Sequence, residues 1–200
     1  YYSQNTSQPN LINNSIIRNS LNDGARYGNS TGSITNCQFL TNGRYPLYFL
    51  DPAANPLHTG NTYTGNVNNR IALSGGTYTF NRTYNNEGGV PYYILSDIIM
   101  ADYAGKPRLT LDAGVILDFA PGTKLQLGAP NSYGGELYAV GTSISPIIFR
   151  AYTGVAGGWE GIHFTPWNDN WGGVSLMEYC TVRNAALQNI LIEGSNQPTM

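Results

Sequence analysis

The stretch LTLDAGVILDFAPGTKLQLG, residues 109–128, decides the fold class of this chain. Its apolar residues come in three short bursts, and inside each burst they alternate with other residues. An alternation with a period of two is typical of a β-strand that buries one face. The stretch therefore predicts three strands in close succession, whose inward residues are Leu109, Leu111, Val115, Leu117, Phe119, Leu125 and Leu127.

The two separators, DAG at 112–114 and APG at 120–122, are too short to hold a helix. They also lack the Asn-Gly or Asp-Gly pair that most strongly predicts a two-residue hairpin. A chain that bends after each short strand, instead of reversing, winds into a coil whose successive turns stack their strands in parallel. The separators thus favour a parallel β-helix.

Strand-like segments recur along the whole sequence, and no stretch keeps a helical periodicity. We therefore predict an all-β chain that forms a right-handed parallel β-helix, a solenoid of about eight to nine rungs. Clear examples outside the opening stretch are NSIIRN (14–19), SITNCQFLTN (33–42), VPYYILSDIIM (90–100), PIIFRAY (146–152) and YCTVRN (179–184).

The spacing between these segments predicts how the rungs stack. Aligning NNSIIRN with TNCQFLTN puts Ile17 over Phe39, and Tyr63 follows Phe39 after almost the same interval. The same alignment puts Ser15 over Cys37. Because this interval is typical of one solenoid rung, we expect these side chains to form inward stacks.

Composition and charge argue against several classes of partner. Charged residues make up 11% of the 200 residues and the formal net charge is −2, whereas a typical soluble domain is roughly 25% charged. No basic cluster appears in the sequence, and no run approaches the roughly 18 apolar residues of a membrane span. We therefore expect no nucleic-acid partner, no anionic-membrane partner and no membrane-spanning segment. The opening YYSQNTSQPN is typical neither of a signal peptide nor of an initiator methionine, so we interpret the sequence as a mature or excised segment.

The order of several motifs resembles the bacterial secreted right-handed parallel β-helix repeat proteins. The motifs are LTLDAGVILDFAPGTKLQLG, GELYAVGTSISPIIF, GWEGIHF and LMEYCTVRNA, in that order. The resemblance implies modules that open with a PYY strand and close with several rungs of the form NSIIRN. It also implies the β-helical fold.

On that template the pieces stand in rotated order, as if the window had been cut from a tandem array. Residues 1–66 correspond to closing rungs, 67–89 to a module junction and 90–200 to opening and middle rungs of one continuous solenoid. Joining Met200 to Tyr1 would give an unbroken succession of rungs, and neither end offers an obvious cap. We therefore expect the partners of this chain to be copies of itself, joined covalently or stacked end to end.

Four carboxylates are candidates for catalysis, since a polysaccharide lyase or glycosidase needs acidic residues that converge on one face. Asp112 and Asp118 fall in one predicted rung, and Asp97 and Asp102 flank the preceding stretch. None forms a DxD or an adjacent pair, so surface solvation or turn hydrogen bonding is the favoured interpretation. We predict no catalytic residue, no cofactor and no metal site.

The segment TPWNDNWGG at 165–173 is the most unusual one, a predicted loop that carries Trp167, Asp169 and Trp171. Three interpretations stay open. The loop folds back over the side of the solenoid, it contacts another subunit, or its indoles stack on sugar rings.

The other reactive or polar side chains favour structural roles. His58 and His163 have no Ser, Cys or second His spaced for a triad or a metal, and Trp159 lies in a predicted rung. Cys37 and Cys180 belong to no metal-binding pattern, so free, buried thiols are expected. Asparagines near rung corners are expected to form hydrogen-bonded ladders, at Asn14, Asn36 and Asn66.

The sequence thus favours a structural or adhesive protein of the extracellular space or cell surface, without catalysis. Its uniform, weakly charged, Asn/Gly/Thr/Tyr-rich composition is associated with secreted bacterial surface proteins. The alternative is a polysaccharide-active or carbohydrate-binding β-helix with a site along a side groove.

Overall fold

The computed structural model describes residues 2–4, 10–131, 134–167 and 174–194. These residues form 23 strands of three to five residues each. The strands, in chain order, are β1 (Tyr2–Gln4), β2 (Asn10–Asn13), β3 (Ile16–Arg18), β4 (Ala25–Gly28), β5 (Gly32–Thr35), β6 (Gln38–Leu40), β7 (Leu47–Phe49), β8 (Leu57–Thr59), β9 (Thr62–Thr64), β10 (Ile71–Leu73), β11 (Gly76–Tyr78), β12 (Arg82–Tyr84), β13 (Tyr92–Ile94), β14 (Ile98–Met100), β15 (Arg108–Leu111), β16 (Ile116–Phe119), β17 (Lys124–Leu127), β18 (Glu136–Val140), β19 (Ile147–Ala151), β20 (Gly161–Phe164), β21 (Leu176–Glu178), β22 (Cys180–Arg183) and β23 (Ile190–Ile192).

The fold is a parallel β-helix, which confirms the predicted class. Neighbouring strands pair in parallel, and strands of one sheet are separated by two others in chain order. Three strands therefore complete one turn, and the 23 strands of the described residues make nearly eight turns. No α-helix occurs within the described residues.

The chain divides into two compact units. The first comprises the residues up to Ser74 together with Glu87–Tyr93, and the second comprises Gly75–Asn86 together with the residues from Ile94 onward. The predicted junction at 67–89 overlaps this division. Whether that segment joins two modules stays a prediction.

In the first unit the turns are uniform in length. The strand orders are β1-β4-β7-β10, β2-β5-β8 and β3-β6-β9, and the register between neighbouring strands is nearly constant along the chain. The predicted stack is confirmed, because Ile17 pairs with Phe39 and Phe39 pairs with Tyr63. The Phe39 and Tyr63 rings are stacked, with centroids 5.3 Å apart.

Left-handed corners delimit the strands β3, β6 and β9. The corner residues have positive φ and are spaced five apart within each turn: Asn14 and Asn19, Asn36 and Thr41, and Gly60 and Gly65. Asn and Gly tolerate this conformation better than most residues. YCTVRN in the second unit has the same two corners, at Tyr179 and Asn184, so its predicted similarity to NSIIRN extends to the backbone.

A buried asparagine ladder follows one row of these corners. The side-chain oxygen of Asn66 accepts hydrogen bonds from the Asn42 backbone N–H, at 3.0 Å, and from the Asn42 amide, at 2.8 Å. The Asn66 amide in turn donates to the Phe39 carbonyl at 3.0 Å. Asn66 therefore lies in a ladder as predicted, but its partner is Asn42, whereas Asn36 bonds to Asn13.

In the second unit the turns vary in length. The strand orders are β11-β14-β17-β20-β23, β12-β15-β18-β21 and β16-β19-β22. The turn from β18 to β21 is much longer than the turn from β11 to β14. One inward stack is apolar throughout and runs Ile98, Leu125, Ile162 and Ile190. Another begins with buried Arg82, which pairs with Leu109.

The stretch 109–128 makes one turn of this unit and belongs to three different sheets, through β15, β16 and β17. All seven of its predicted inward residues are at most 2% exposed. At the separators, Val115 donates to the Asp112 carbonyl and Thr123 to the Ala120 carbonyl. Gly114 and Gly122 have φ of 83° and 73°, as the third residue of a type II turn requires. The glycine-bearing separators therefore bend the chain without reversing it.

Candidate functional site

The predicted contact loop is only partly described. Trp167 follows β20 and is 40% exposed. Asp169 and Trp171 lie outside the described residues. The exposed indole of Trp167 is compatible with each of the three interpretations, so the role of this loop stays a prediction.

The four candidate carboxylates have different surroundings in the second unit. Asp112 is exposed and opens a turn, as expected. Asp102 accepts a hydrogen bond from the backbone N–H of Tyr103. Asp118 is only 1% exposed, so the interpretation as a solvated or turn residue is wrong for it. It points away from the core, but Arg150 on β19 covers it, with 2.6 Å between Arg150 Nε and Asp118 Oδ1.

Asp97 shares a lysine with Glu160, on the outer side of the second unit. Lys124 Nζ lies 3.1 Å from Asp97 Oδ2 and 3.3 Å from Glu160 Oε2. Burial lowers the pKa of Lys124, but the hydrogen bonds and charges of the two carboxylates outweigh it, and the net shift is upward. The lysine therefore stays charged at neutral pH and balances two carboxylates.

A shallow groove of about 340 Å³ lies beside Glu160. His163 Nε2 is 2.9 Å from the Glu160 carbonyl oxygen, and Gln188 adds a second polar side chain. Leu187 and Leu191 supply its apolar surface. The groove is large enough for a small polar ligand, and Glu160 is the one carboxylate that lines it among the described residues.

The other side chains selected from the sequence take structural roles. Trp159 is fully buried, stacks on Phe119 with centroids 4.2 Å apart, and donates to the Arg183 carbonyl. Both cysteines are free. Cys37 is fully buried, whereas Cys180 is partly exposed, and burial raises the pKa of the Cys180 thiol to about 11.

His58 lies inside the first unit, in a polar layer that sequence reasoning did not find. Its ring nitrogens are 3.0 Å from the Pro56 carbonyl oxygen and 2.8 Å from the Tyr92 hydroxyl. The Tyr63 hydroxyl donates to Glu87 Oε2 at 3.2 Å. Burial raises the pKa of Tyr63, so its hydroxyl remains a donor at neutral pH. Glu87 lies in a loop and points into this polar layer. Because a loop has no strand alternation, the sequence pattern does not identify such a residue as buried.

Sequence reasoning also missed a surface on the outside of β4 and β7, which we call the Arg–Tyr surface: Arg26, Arg44, Tyr45, Tyr48 and Tyr93. The guanidinium carbon of Arg44 lies 4.7 Å from the Tyr45 ring centroid and 5.5 Å from that of Tyr48. Arg26 lies 5.2 Å from the same Tyr48 ring. Tyr45 packs against both Tyr48 and Tyr93. Since Arg26 pairs with Tyr48 in register, the regular spacing of the turns contained the signal for this cluster.

Burial and ion pairing hold this surface in place. Tyr45 is 4% exposed, and burial raises the pKa of its phenol although Arg44 opposes the shift. Buried Asp23 lies 3.2 Å from Arg26 Nε and accepts a hydrogen bond from the Tyr45 backbone N–H. The surface therefore combines a buried tyrosine and partly exposed tyrosines with two guanidinium groups.

The terminal turns of the described chain have open strand edges. β1, β2 and β3 pair on one side only, and so do β21, β22 and β23. The inward residues of these turns are partly exposed, as at Ile12, Val182 and Ile190. Their stack neighbours one turn further in, Ile34 and Ile162, are fully buried.

Comparison of the chain with protein-family models, with curated proteins and with solved structures gives no match. The resemblance to the β-helix repeat proteins therefore stays a prediction. Within the described residues, no group of three or more His, Cys, Asp or Glu side chains is arranged to hold a metal ion. The described part of the chain also contains no helix with the length and hydropathy needed to cross a membrane.

Proposed function

We propose that this chain is a structural or adhesive extracellular protein without catalytic activity, and that its copies stack end to end as units of a tandem array or filament. The observation that carries the proposal is the state of the terminal turns. Within the described residues the strands of these turns pair on one side only, and their inward apolar side chains are partly exposed. Such edges are templates for pairing with another chain.

A second copy fits these edges by sequence spacing. If Met200 of one copy met Tyr1 of the next, Ile190 and Ile12 would be separated by the same interval as Ile12 and its partner Ile34. Ile12 of the second copy would then stack on Ile190 of the first copy, just as Ile34 stacks on Ile12 within one copy. Stacking would bury both terminal isoleucines in one continuous apolar column.

Composition and resemblance support the extracellular location. The chain is 11% charged and rich in glycine and tyrosine, and its motif order resembles secreted bacterial repeat proteins. A solenoid held together by backbone ladders and buried side chains needs no cofactor to serve as a support or an adhesin.

Electron microscopy of the purified protein tests the proposal. We expect rods whose diffraction shows a layer line near 4.8 Å, about the spacing between stacked strands. Discrete particles of single chains at all concentrations would contradict it.

Two substitutions at the open turns sharpen this test. Ile12→Lys and Ile190→Lys each place a charge where the next turn would stack, and we expect at least a ~10-fold loss of rods. The matched control is Ile16→Lys, because Ile16 is 59% exposed and points outward from β3. If the control loses rods equally, added charge and not end stacking controls assembly, and the proposal fails.

The alternative function is a polysaccharide-active or carbohydrate-binding β-helix. The observation in its favour is the groove beside Glu160 and His163, in the same unit as the exposed Trp167. Release of reducing ends from a polysaccharide, lost in Glu160→Gln, would place this alternative first.

A further inference from the structure

We infer that the Arg–Tyr surface of the first unit binds an acidic polysaccharide, by pairing its guanidinium groups with the carboxylates of uronic-acid-type sugars. The inference does not depend on end-to-end stacking and concerns a different surface from the groove beside Glu160.

The accessible charge of the first unit is positive. The unit contains four arginines and three acidic residues. Each acidic side chain is either buried or engaged in hydrogen bonds to the backbone. Asp23 and Glu87 are buried, at 6% and 4% exposure. Asp51 accepts hydrogen bonds from the backbone N–H groups of Asn29 and Ala54. An anionic polymer that approaches this unit therefore meets more positive than negative charge.

The surroundings of Arg44 favour binding of an anion. Its side chain lies over Tyr45 and Tyr48, and among the described residues no carboxylate lies within 4.0 Å of it. The N–H donors of a guanidinium lie in its plane, so contact with an aromatic face leaves donors for a planar acceptor, although Arg44 also interacts with the Tyr45 phenol. A carboxylate matches this fork with two parallel hydrogen bonds.

Arg26 supplies a second guanidinium group near the first. It contacts the Tyr48 ring that Arg44 also contacts, so the two guanidinium carbons are separated by no more than the sum of 5.2 and 5.5 Å. Its ion pair with buried Asp23 holds it there and offsets its charge, so Arg44 supplies the net positive charge of this surface. Two neighbouring guanidinium groups favour a ligand that repeats its negative charge along a chain, and the partly exposed ring of Tyr93, which packs on Tyr45, adds apolar surface for a sugar ring.

The same chemistry argues against a nucleic acid. Tight binding to nucleic acid needs many phosphate contacts, since affinity grows with the number of neutralised phosphates. This surface has two guanidinium groups, and the whole chain has a net charge of −2. A polymer of lower charge density that also offers apolar faces fits better.

Calorimetric titration with oligogalacturonate tests the inference, with dextran, dextran sulfate and oligo(dT) as comparison ligands. We expect binding to oligogalacturonate that weakens as salt rises, and no binding to dextran. Preference for dextran sulfate would overturn the assignment to carboxylates. Preference for oligo(dT) would overturn the assignment to polysaccharide, and no binding to any ligand would overturn the site.

Three variants test whether this surface is responsible. Arg44→Gln is expected to weaken binding ~10-fold or more, and Arg44→Lys several-fold, because lysine keeps the charge but loses the planar fork. The matched control Arg18→Gln removes an exposed arginine on β3 of the same unit and is expected to change binding less than ~2-fold. Equal weakening by Arg44→Gln and Arg18→Gln, or full binding by Arg44→Lys, would overturn the inference.

Each variant is first checked for a wild-type melting curve and for rod formation by microscopy. Rods that form normally while Arg44→Gln loses the ligand would separate this inference from the proposed function. Absence of rods together with wild-type binding to oligogalacturonate would contradict only the stacking proposal.

Discussion

Both units stack parallel strands with three strands to a turn, but different side chains fill their interiors. In the first unit every turn has nearly the same length, and the column that begins with Ile12 and Ile34 ends at His58. In the second unit the turns differ widely in length, yet the column from Ile98 to Ile190 stays apolar. The length of the corner segments can therefore vary from turn to turn, whereas the inward side chains of each strand must fit the packed interior.

The comparison also shows two ways to stabilise a stack of short strands. Uniform turns place like corners above one another, so polar side chains such as Asn42 and Asn66 can bond from turn to turn. The second unit keeps some cross-turn bonds of this kind, as from the Arg108 backbone N–H to Asn81. It adds close aromatic packing in its interior, as at Phe119 and Trp159.

The largest expected effect comes from a charge in the apolar interior of the second unit. Phe119→Asp would bury an unpaired carboxylate against Trp159 and remove a stacked ring, at a cost of about 4 kcal/mol or more. We expect loss of the cooperative thermal transition of this unit, followed by circular dichroism. The matched control is Thr110→Asp on the outer side of β15, which should melt near the wild type, and an unshifted melt for Phe119→Asp would refute the inward assignment.

How far the sequence predicts this structure depends on whether a residue interacts along its own strand or across turns. The inward set of 109–128 follows from alternation alone, and the column Ile17, Phe39 and Tyr63 follows from spacing. The sequence misjudges Asp118, because alternation gives its direction but not the presence of Arg150, which comes from a turn of a different length. Arg26 and Tyr48 are one regular turn apart, so the spacing rule applied to outward residues would have found them.

An intermediate effect is expected in the asparagine ladder of the first unit. Asn66→Ala would leave the backbone N–H of Asn42 and the carbonyl of Phe39 without their buried partners, at a cost of about 2 to 3 kcal/mol. Urea unfolding of the full chain measures the change in the free energy of unfolding.

Asn13→Ala is the control for the ladder prediction. Asn13 is exposed, although it also bonds to the next turn through Thr35 and Asn36, so we expect a loss of less than about 1 kcal/mol. If both variants lose the same stability, burial does not distinguish the two positions, and the role given to the ladder is wrong.

The smallest expected effect concerns Glu87, in the buried polar layer of the first unit. Burial raises the pKa of Glu87, although hydrogen bonds from Tyr63 and Asn61 oppose the shift. Between the ordinary pKa of glutamic acid and this raised value, the folded state binds more protons than the unfolded state. Stability should therefore increase as the pH falls through that window.

Replacing this carboxylate tests the sign of the effect. Glu87→Gln keeps an acceptor for Tyr63 and removes the buried charge, so we expect a gain on the order of 1 kcal/mol at pH 7 and a flatter dependence on pH. Urea titrations at pH 7 and pH 5 measure both, with the exposed Glu178→Gln as the control that keeps the wild-type slope. A wild-type slope in Glu87→Gln would show that a group other than Glu87 sets the pH dependence of this interior.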